Sequence, residues 1–141
     1  MKEEIKLHIT TKQFFEKGVP SETFSYKAEG RYFFRNPSHY LLYEEKLEGY
    51  KNPFQTRVKF KNGVLELQRK GDAEILMTFE EGKSYVTEYT TPFGKMLLEI
   101  TTGKLQVIQK EDLIQIKIDY SMKNEDTKIS DNIMELRITE R

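Results

Sequence analysis

Cysteine is absent from the 141 residues of this chain. A protein without a thiol can form no disulfide, no thiolate zinc site, no iron–sulfur cluster and no cysteine nucleophile. Long apolar runs are absent as well. No segment approaches the roughly 18 residues of a membrane span, and the charged N-terminus lacks the apolar core of a signal peptide. We therefore expect a soluble cytoplasmic protein that has no membrane partner.

An excess of charge of one sign is also missing. Lysine and arginine together number 23, aspartate and glutamate number 23, and the formal net charge is +0. Proteins that bind the phosphate backbone of nucleic acids normally carry a basic excess, and a balanced composition creates no field that attracts nucleic acid or anionic lipid. The composition therefore predicts no nucleic-acid partner.

A phosphate-binding loop is missing, although Gly94-Lys95 resembles part of one. Such a loop needs several glycines and a serine or threonine directly after the lysine, whereas Lys95 is followed by Met96. The segment Thr91–Gly94 instead has proline at the second and glycine at the fourth position of a β-turn. We therefore interpret this segment as the turn of a hairpin.

Catalytic and metal-binding constellations are missing too. His8 and His39 are far apart in the sequence, and carboxylates from other strands would have to join them to form a metal site. No serine lies in a Gly-x-Ser-x-Gly motif. Glu44 and Glu45 are adjacent in a predicted strand, so they point to opposite faces and cannot flank one substrate. The sequence thus predicts no catalytic residue, no metal site and no cofactor.

Alternation of apolar and polar residues is the main pattern that the chain does have. This period of two is typical of half-buried antiparallel strands. Turn signals such as Asn36-Pro37, Asn52-Pro53 and Asn62-Gly63 separate the alternating runs. The pattern predicts roughly ten strands, each joined to the next by a tight connection. The clearest runs are Ile5, Leu7 and Ile9; Phe54, Thr56, Val58 and Phe60; Ile114, Ile116, Ile118 and Tyr120; and Met134, Leu136 and Ile138.

The predicted number of strands raises the question of how the sheet protects its two edges. A chain of this length is expected to form one domain, residues 1–141. Closure of the sheet into a barrel removes both exposed edges, and Gly30 lies where a long aromatic strand would need a sharp bend. We therefore predict an all-β protein in which an antiparallel meander of roughly ten strands closes into a barrel.

Aromatic side chains dominate the predicted inner face. Each ring buries about 150–250 Å², so together they would fill much of a small barrel. Any cavity is therefore expected to be small, or displaced to the end of the barrel near Arg69. The inward rings are predicted to be Phe24, Tyr26, Tyr32, Phe34, Phe54, Phe60 and Phe79.

Arg69 is a charged residue whose side chain the alternation directs inward, because it shares a face with Leu65 and Leu67. A buried arginine needs a partner, and Glu45 lies on the inward face of its own predicted strand. One interpretation is an internal ion pair that closes one end of the barrel. The other is an anchor for the carboxylate of a ligand, with Tyr43 and Tyr89 as hydroxyl donors.

The segment 84–91 has a polar and aromatic face whose direction the pattern does not determine. Tyr85, Thr87, Tyr89 and Thr91 share this face. If it points inward, Tyr85 and Tyr89 line a polar pocket. If it points outward, it is ordinary strand surface, and we favour this second orientation because β-propensity alone explains it.

Five short motifs in a fixed order carry a resemblance to a known family. They are Glu29-Gly30, Leu42-Tyr43-Glu44-Glu45, Arg69-Lys70-Gly71, Tyr89 with Phe93-Gly94, and Asp119-Tyr120. In their order and spacing, residues 3–139 resemble the YwiB-like family of small bacterial proteins of unknown function. The resemblance implies a calycin-type, lipocalin-like closed barrel, and it implies no catalytic residue. Calycin barrels commonly hold small apolar molecules, which is an analogy of fold alone.

Three functional hypotheses follow from these patterns. The first is a module that binds one small amphipathic or apolar molecule through Arg69, Glu45 and the tyrosines 43, 85 and 89. The second is a packed barrel without a ligand, monomeric or homodimeric, that acts through a strand edge or an outward apolar patch around Leu42 and Leu76. The third is an enzyme, although no histidine or nucleophile is placed to start a reaction. We favour the binding module.

Overall fold

Ten β-strands make up the regular structure of the described chain. The computed structural model describes residues 1–16 and 19–141. In that part of the chain, no helix has the length and the apolar character that crossing a membrane requires. The strands are β1 (Glu4–Phe14), β2 (Glu22–Arg35), β3 (Ser38–Glu45), β4 (Phe54–Lys61), β5 (Val64–Lys70), β6 (Glu74–Glu80), β7 (Ser84–Thr91), β8 (Gly94–Lys110), β9 (Leu113–Asn124) and β10 (Thr127–Glu140).

The strands form a closed antiparallel barrel, which confirms the predicted meander. Each strand pairs with its neighbours in the chain, and β1 closes the barrel by pairing with β10 from Ile5 opposite Glu140 to Phe14 opposite Asp131. The predicted turns are present. Asn62 and Gly63 both have positive φ angles, 44° and 79°, as a two-residue hairpin of type I′ requires. In the predicted turn Thr91–Gly94, which joins β7 to β8, the backbone amide of Phe93 donates a hydrogen bond to Thr91 Oγ1 at 3.1 Å.

The core consists of the alternating residues, which face the inside of the barrel. Among the predicted inward rings, Phe54, Phe60 and Phe79 are buried, and Tyr26 and Tyr32 are partly buried against the core. Phe24 and Phe34 lie on the same face of β2 as these rings, but they are at the two ends of the strand and are 39% and 52% exposed, so they do not fill the barrel as predicted. β2 pairs with β3 only from Gly30 to Arg35, so Phe24 lies beyond the end of β3, and Phe34 lies beside the β2–β3 turn.

Gly30 permits the closest approach of strands in the barrel wall. It lies between Ile5 of β1 and Tyr43 of β3. A Cβ atom at this position would lie 2.4 Å from the carbonyl oxygen of Leu42 and 2.9 Å from the Cβ of Tyr43. Only glycine fits here without moving the backbone. The absence of a side chain therefore allows Tyr43 to pack tightly on the inner face.

The polar face of β7 points inward, so the favoured outward orientation was wrong. Tyr85, Thr87 and Tyr89 lie opposite Ile100, Leu98 and Met96 of β8, on the inner side of the sheet, whereas Val86 and Glu88 are exposed. Propensity did not reveal this because residues of both faces suit a strand. The ladder between β6 and β7 contains one pair in the described residues, Glu74 with Thr90. These two strands therefore form a seam in the barrel wall.

Candidate functional site

A cavity of about 140 Å³ lies at one end of the barrel, where β3, β5, β7 and β9 end. Its apolar wall includes Phe54, Met77, Leu98 and Met122. Its polar groups include Arg69, Tyr89 and Tyr120, with Gln13 and Glu74 also lining it. A small apolar space with a few polar groups in its wall is the usual composition of a ligand site. The sequence analysis predicted a cavity that is small or that lies at this end of the barrel, near Arg69.

The ion pair that the alternation predicted, Arg69 with Glu45, forms beside the cavity. Arg69 Nε donates to Glu45 Oε1 at 3.0 Å, and the hydroxyl of Thr56 donates to the same oxygen. The Glu45 side chain is 0% exposed, whereas that of Arg69 is 20% exposed. The pair spans β3 and β5, and Thr56 of the intervening strand β4 stands directly opposite Arg69. The barrel therefore fixes the guanidinium between its wall and the cavity.

The Arg69 guanidinium remains charged although it lies inside the barrel. Burial acts to lower its pKa, but the neighbouring Glu45 carboxylate and the Tyr43 hydroxyl outweigh burial, so the pKa of Arg69 is raised. Among the described residues, the hydrogen bonds of Arg69 use only its Nε. Its two Nη groups have no protein acceptor there, and a guanidinium recognises carboxylate oxygens best through several donors at once.

Phenol groups surround the guanidinium, and all of them are hydrogen-bond donors at neutral pH. Burial raises the pKa of Tyr43 to about 12. Burial also raises the pKa of Tyr89 to about 12, with a contribution from its hydrogen bond with the Tyr50 hydroxyl at 3.0 Å. Burial raises the pKa of Tyr120, and Arg69 offsets part of the increase. The hydroxyls of Tyr89 and Tyr120, which line the cavity, can orient an acceptor on a ligand, but none of the three phenols is a base at neutral pH.

Two buried polar atoms next to Arg69 have no hydrogen-bond partner among the described residues. They are the hydroxyl of Tyr43 and Oε2 of Glu45. An unpaired polar atom inside a protein costs about 1–3 kcal/mol, and such groups are uncommon in folded proteins. Stability alone would favour apolar groups at these positions. Four other buried polar atoms of the described residues, on Tyr26, Arg57, Thr102 and Asp119, also lack a partner, so this feature is not confined to the Arg69 end of the barrel.

The structure brings four of the five predicted site residues together: Arg69, Glu45, Tyr43 and Tyr89. It does not bring Tyr85 to the cavity. The Tyr85 hydroxyl donates to Glu80 Oε1 at 2.7 Å, and Tyr85 lies near the β6–β7 turn at the opposite end of the barrel. Tyr85 and Tyr89 both lie on β7, but four residues of strand extend over about 13 Å. The two hydroxyls are therefore at opposite ends of the strand.

Sequence reasoning missed two tyrosines of this site, Tyr120 and Tyr50. Tyr120 continues the inward run of β9, so the alternation contained a signal for it. Tyr50 lies in the loop between β3 and β4, and it reaches the site by packing edge-on against the Phe54 ring, with centroids 4.9 Å apart. No periodic pattern marks a loop residue, so the sequence held no signal for Tyr50.

A second polar cluster, around His39, lies at the opposite end of the barrel. The His39 ring stacks on Phe60 with centroids 4.8 Å apart. Its nitrogens lie 2.8 Å from the Tyr32 hydroxyl and 3.3 Å from Gln109 Nε2. Burial lowers the pKa of His39. Both ring nitrogens are occupied by neighbours, so this histidine fits a structural contact that joins β3 to β8.

Metal-ligating side chains do not gather at either cluster in residues 1–16 and 19–141. No group of three or more histidines, aspartates or glutamates that could hold a metal ion occurs there. At the cavity, the polar groups are the Arg69 guanidinium, the carboxylates of Glu45 and Glu74, the Gln13 amide and several phenols. This set can bind and orient a small molecule that carries a hydrogen-bond acceptor.

Comparison with known proteins identifies relatives of the same architecture. The family described as "Domain of unknown function (DUF1934)" matches residues 7–136. The chain is 27% identical over 122 residues to a Bacillus subtilis (strain 168) protein described as "Uncharacterized beta-barrel protein YwiB". The aligned region covers 86% of this chain and 84% of that protein. The crystal structure of the ywiB protein superimposes with a TM-score of 0.86 at 23% identity, over 99% of this chain and 92% of that chain. That similarity shows the fold alone.

Proposed function

The chain belongs to the DUF1934 family, and we propose that it is a binding module that holds one small amphipathic molecule in the cavity beside Arg69. The single observation that carries the proposal is the guanidinium in the cavity wall, whose Nη groups have no protein acceptor among the described residues. A buried charge is stabilised by pairing and hydrogen bonds, and Glu45 engages only the Nε of this guanidinium. The polar end of a ligand would supply acceptors for the Nη groups.

The size of the cavity limits the ligand. Drug-sized sites measure roughly 300–1,000 Å³, whereas this cavity measures about 140 Å³. An engineered apolar cavity of about 150 Å³ in another protein holds a benzene molecule. The ligand is therefore a molecule of benzene-like size with one acceptor group, such as a carboxylate. The acceptor faces Arg69, and the apolar part lies against Met77, Leu98 and Met122.

The character of the polar groups supports binding over catalysis. The phenols of Tyr43 and Tyr89 have pKa values of about 12, so they stay protonated and cannot abstract a proton at neutral pH. The Glu45 carboxylate is engaged by Arg69 and Thr56. The analogy with lipocalin-like calycin barrels, which hold one small ligand, adds support at the level of fold. A cytoplasmic location is part of the same proposal.

Native mass spectrometry of the freshly purified protein is the first test. We expect an added mass that is released on denaturation, and its formula would identify the ligand. Calorimetry should then show benzoate binding with a stoichiometry of one, and toluene binding more weakly because it lacks the acceptor. A bare protein that binds neither probe would contradict the proposal.

Conservative variants locate the binding. Tyr89→Phe and Tyr120→Phe each remove one hydroxyl from the cavity wall, and each should weaken benzoate binding about fivefold or more, as expected for one hydrogen bond. Tyr40→Phe is the matched control, because Tyr40 lies on the outward face of β3. If benzoate binds equally to all three variants, the ligand site lies elsewhere.

A packed interaction module is the second candidate, and one observation favours it. Leu76, Val86 and Leu97 are outward-facing and 38%, 65% and 58% exposed, on the consecutive strands β6, β7 and β8. Exposed apolar groups that lie together often mark a contact with another protein. The same native spectra test it, since a bare homodimer that Val86→Glu converts to monomer would favour this candidate over ligand binding.

A further inference from the structure

A groove of about 510 Å³ runs over the outer surface of β2, β1 and β10, outside the barrel and apart from the cavity beside Arg69. Outward-facing side chains of these three strands line it. They include Lys6 and His8 of β1, Lys27 and Glu29 of β2, and Arg137 of β10. The chain as a whole has a formal net charge of +0, so three formal cations in one groove are a local concentration of positive charge.

The basic side chains stand in one row across the sheet. Lys27 of β2 is directly opposite His8 of β1, and His8 is directly opposite Arg137 of β10. Neighbouring strands lie about 4.8 Å apart, so the row spans roughly 10 Å. His8 is counted as neutral at pH 7, and it places Lys27 on one side of its ring and Arg137 on the other. The two charges are therefore spaced so that one small anion can contact both.

Acidic side chains of the groove do not neutralise this row. The carboxylate of Glu29 is engaged by Arg141 at 3.3 Å. Within the described chain, Lys6, Lys27 and Arg137 form no ion pair with a carboxylate closer than 4.0 Å, although eight other pairs occur on the barrel. The charges of the row are therefore available to an external anion.

The remaining polar groups suit the same ligand. His8 Nε2 lies 2.8 Å from the Ser25 hydroxyl, which fixes the ring between the two cations. Thr139 adds a hydroxyl at the edge of the groove. Arginine, lysine and hydroxyl donors that converge on one space are the groups that recognise the oxygens of a phosphate.

We propose that the groove over Lys27, His8 and Arg137 binds the phosphate group of a small molecule. The phosphate lies over His8, where it contacts the guanidinium of Arg137 on one side and the ammonium of Lys27 on the other. Lys6 extends the positive surface toward Thr139. The site is independent of the cavity beside Arg69, so the failure of either proposal leaves the other intact.

Titration with inorganic phosphate and with phenyl phosphate tests the site, monitored by amide chemical shifts in 15N-labelled protein at low salt. We expect saturable shifts at β1, β2 and β10. Arg137→Gln and Lys27→Gln should each weaken binding about tenfold, since each removes a charge-assisted contact. Lys59→Gln is the matched control, because Lys59 lies on β4, two strands beyond β2 and outside the groove. Lys27 and Arg137 are exposed and Lys59 is partly exposed, so all three variants should remain folded.

The outcomes separate the sources of the phosphate. Equal affinity for the two probes would assign the site to the free ion, and tighter binding of phenyl phosphate would assign it to a phosphomonoester. Absence of saturation at millimolar concentrations would overturn the proposal. Equal weakening by Lys59→Gln would overturn it as well, because binding would then follow net charge alone. Tighter binding of a single-stranded oligonucleotide than of both probes would overturn the assignment to a small ligand.

Discussion

At the scale of single residues, the end of the barrel depends on a carboxylate that is 0% exposed, Glu45. Its charge is tolerated because Arg69 and Thr56 both donate to Oε1, while Oε2 has no partner among the described residues. A buried carboxylate that loses its counter-charge destabilises a protein strongly. The pair therefore has a measurable structural consequence, whether or not a ligand binds beside it.

Replacement of Arg69 by leucine should lower the free energy of unfolding by roughly 3–5 kcal/mol, because it leaves the Glu45 charge unpaired inside the barrel. Urea denaturation measures this loss. The double variant Arg69→Leu/Glu45→Gln should recover most of it, since glutamine is uncharged and still accepts from Thr56. A loss below about 1 kcal/mol in the single variant would mean that the pair is not part of the interior.

The pKa of Tyr43 leads to a second prediction, at alkaline pH. A hydroxyl whose pKa is raised from 10.0 to about 12 by folding favours the neutral, folded form. Its contribution is therefore complete below pH 10 and is lost as the pH rises through about 12. The loss should amount to about 2–3 kcal/mol.

Urea denaturation at a series of alkaline pH values tests this prediction. The tyrosinate absorbance of the folded protein, measured in parallel, should show a class of tyrosines that ionises late. Tyr43→Phe should reduce both the alkaline loss of stability and the size of that class, whereas the outer-face variant Tyr40→Phe should leave the alkaline loss as it is. An unchanged profile in Tyr43→Phe would contradict the assignment.

The sequence predicted the Arg69–Glu45 pair because both residues continue an inward alternation, and such an alternation survives into the folded strand. It could not predict Tyr50, because a loop residue follows no period. It misplaced Tyr85, because the pattern gives the face of a strand but not the distance along the barrel. Alternation thus predicted the direction of a side chain where apolar residues mark one face, failed for β7 where both faces suit a strand, and gave no information about position along the barrel.

At the scale of elements, β2 is shaped by Gly30. Alanine at this position would place its Cβ 2.4 Å from the Leu42 carbonyl, so β2 and β3 would have to separate. We expect Gly30→Ala to cost about 1–3 kcal/mol, as overpacking usually does, with urea denaturation as the measurement. Gly103→Ala is the control, since its Cβ would meet only the Asp119 carbonyl at 3.6 Å. Equal effects of the two variants would contradict this explanation.

The seam between β6 and β7 is the element that alternation did not reveal. Both strands were predicted, but strand pairing depends on how far a hairpin splays, which side-chain patterns do not encode. The seam flanks the cavity, because Met77 of β6 and Tyr89 of β7 both line it. The seam therefore borders the proposed ligand site.

Hydrogen exchange should expose this seam. Peptides from β6 and β7 should exchange faster than those from β9, which is paired along both sides, because unpaired amides open with little free energy. Benzoate should slow exchange in β6 and β7 if the ligand enters or lies there. Equal protection of β6, β7 and β9 would show that the seam is closed in solution.

At the scale of the whole molecule, the ten-stranded barrel encloses a space that its inward side chains do not fill completely, because a cavity of about 140 Å³ remains at one end. Closure was predictable, because among the ways in which a meander of alternating strands can protect its edges, closure alone removes both of them. The cavity was predictable only in outline. Phe54, Phe60 and Phe79 are buried inside the barrel, whereas Phe24 and Phe34 are exposed at the ends of β2. The unfilled space remains at the end where Arg69 prevents apolar packing.

Filling that space distinguishes a ligand cavity from a packing defect. Ala73 is 4% exposed and lines the cavity, so Ala73→Leu adds apolar volume where room exists. We expect unchanged or increased stability in urea denaturation, together with the loss of benzoate binding in calorimetry. Val58→Phe is the control, because Val58 is 0% exposed in the packed core and enlargement there should cost about 1–3 kcal/mol. If Ala73→Leu destabilises the barrel as much as Val58→Phe does, the cavity is closed in solution. If it is tolerated but benzoate still binds, the ligand occupies another site.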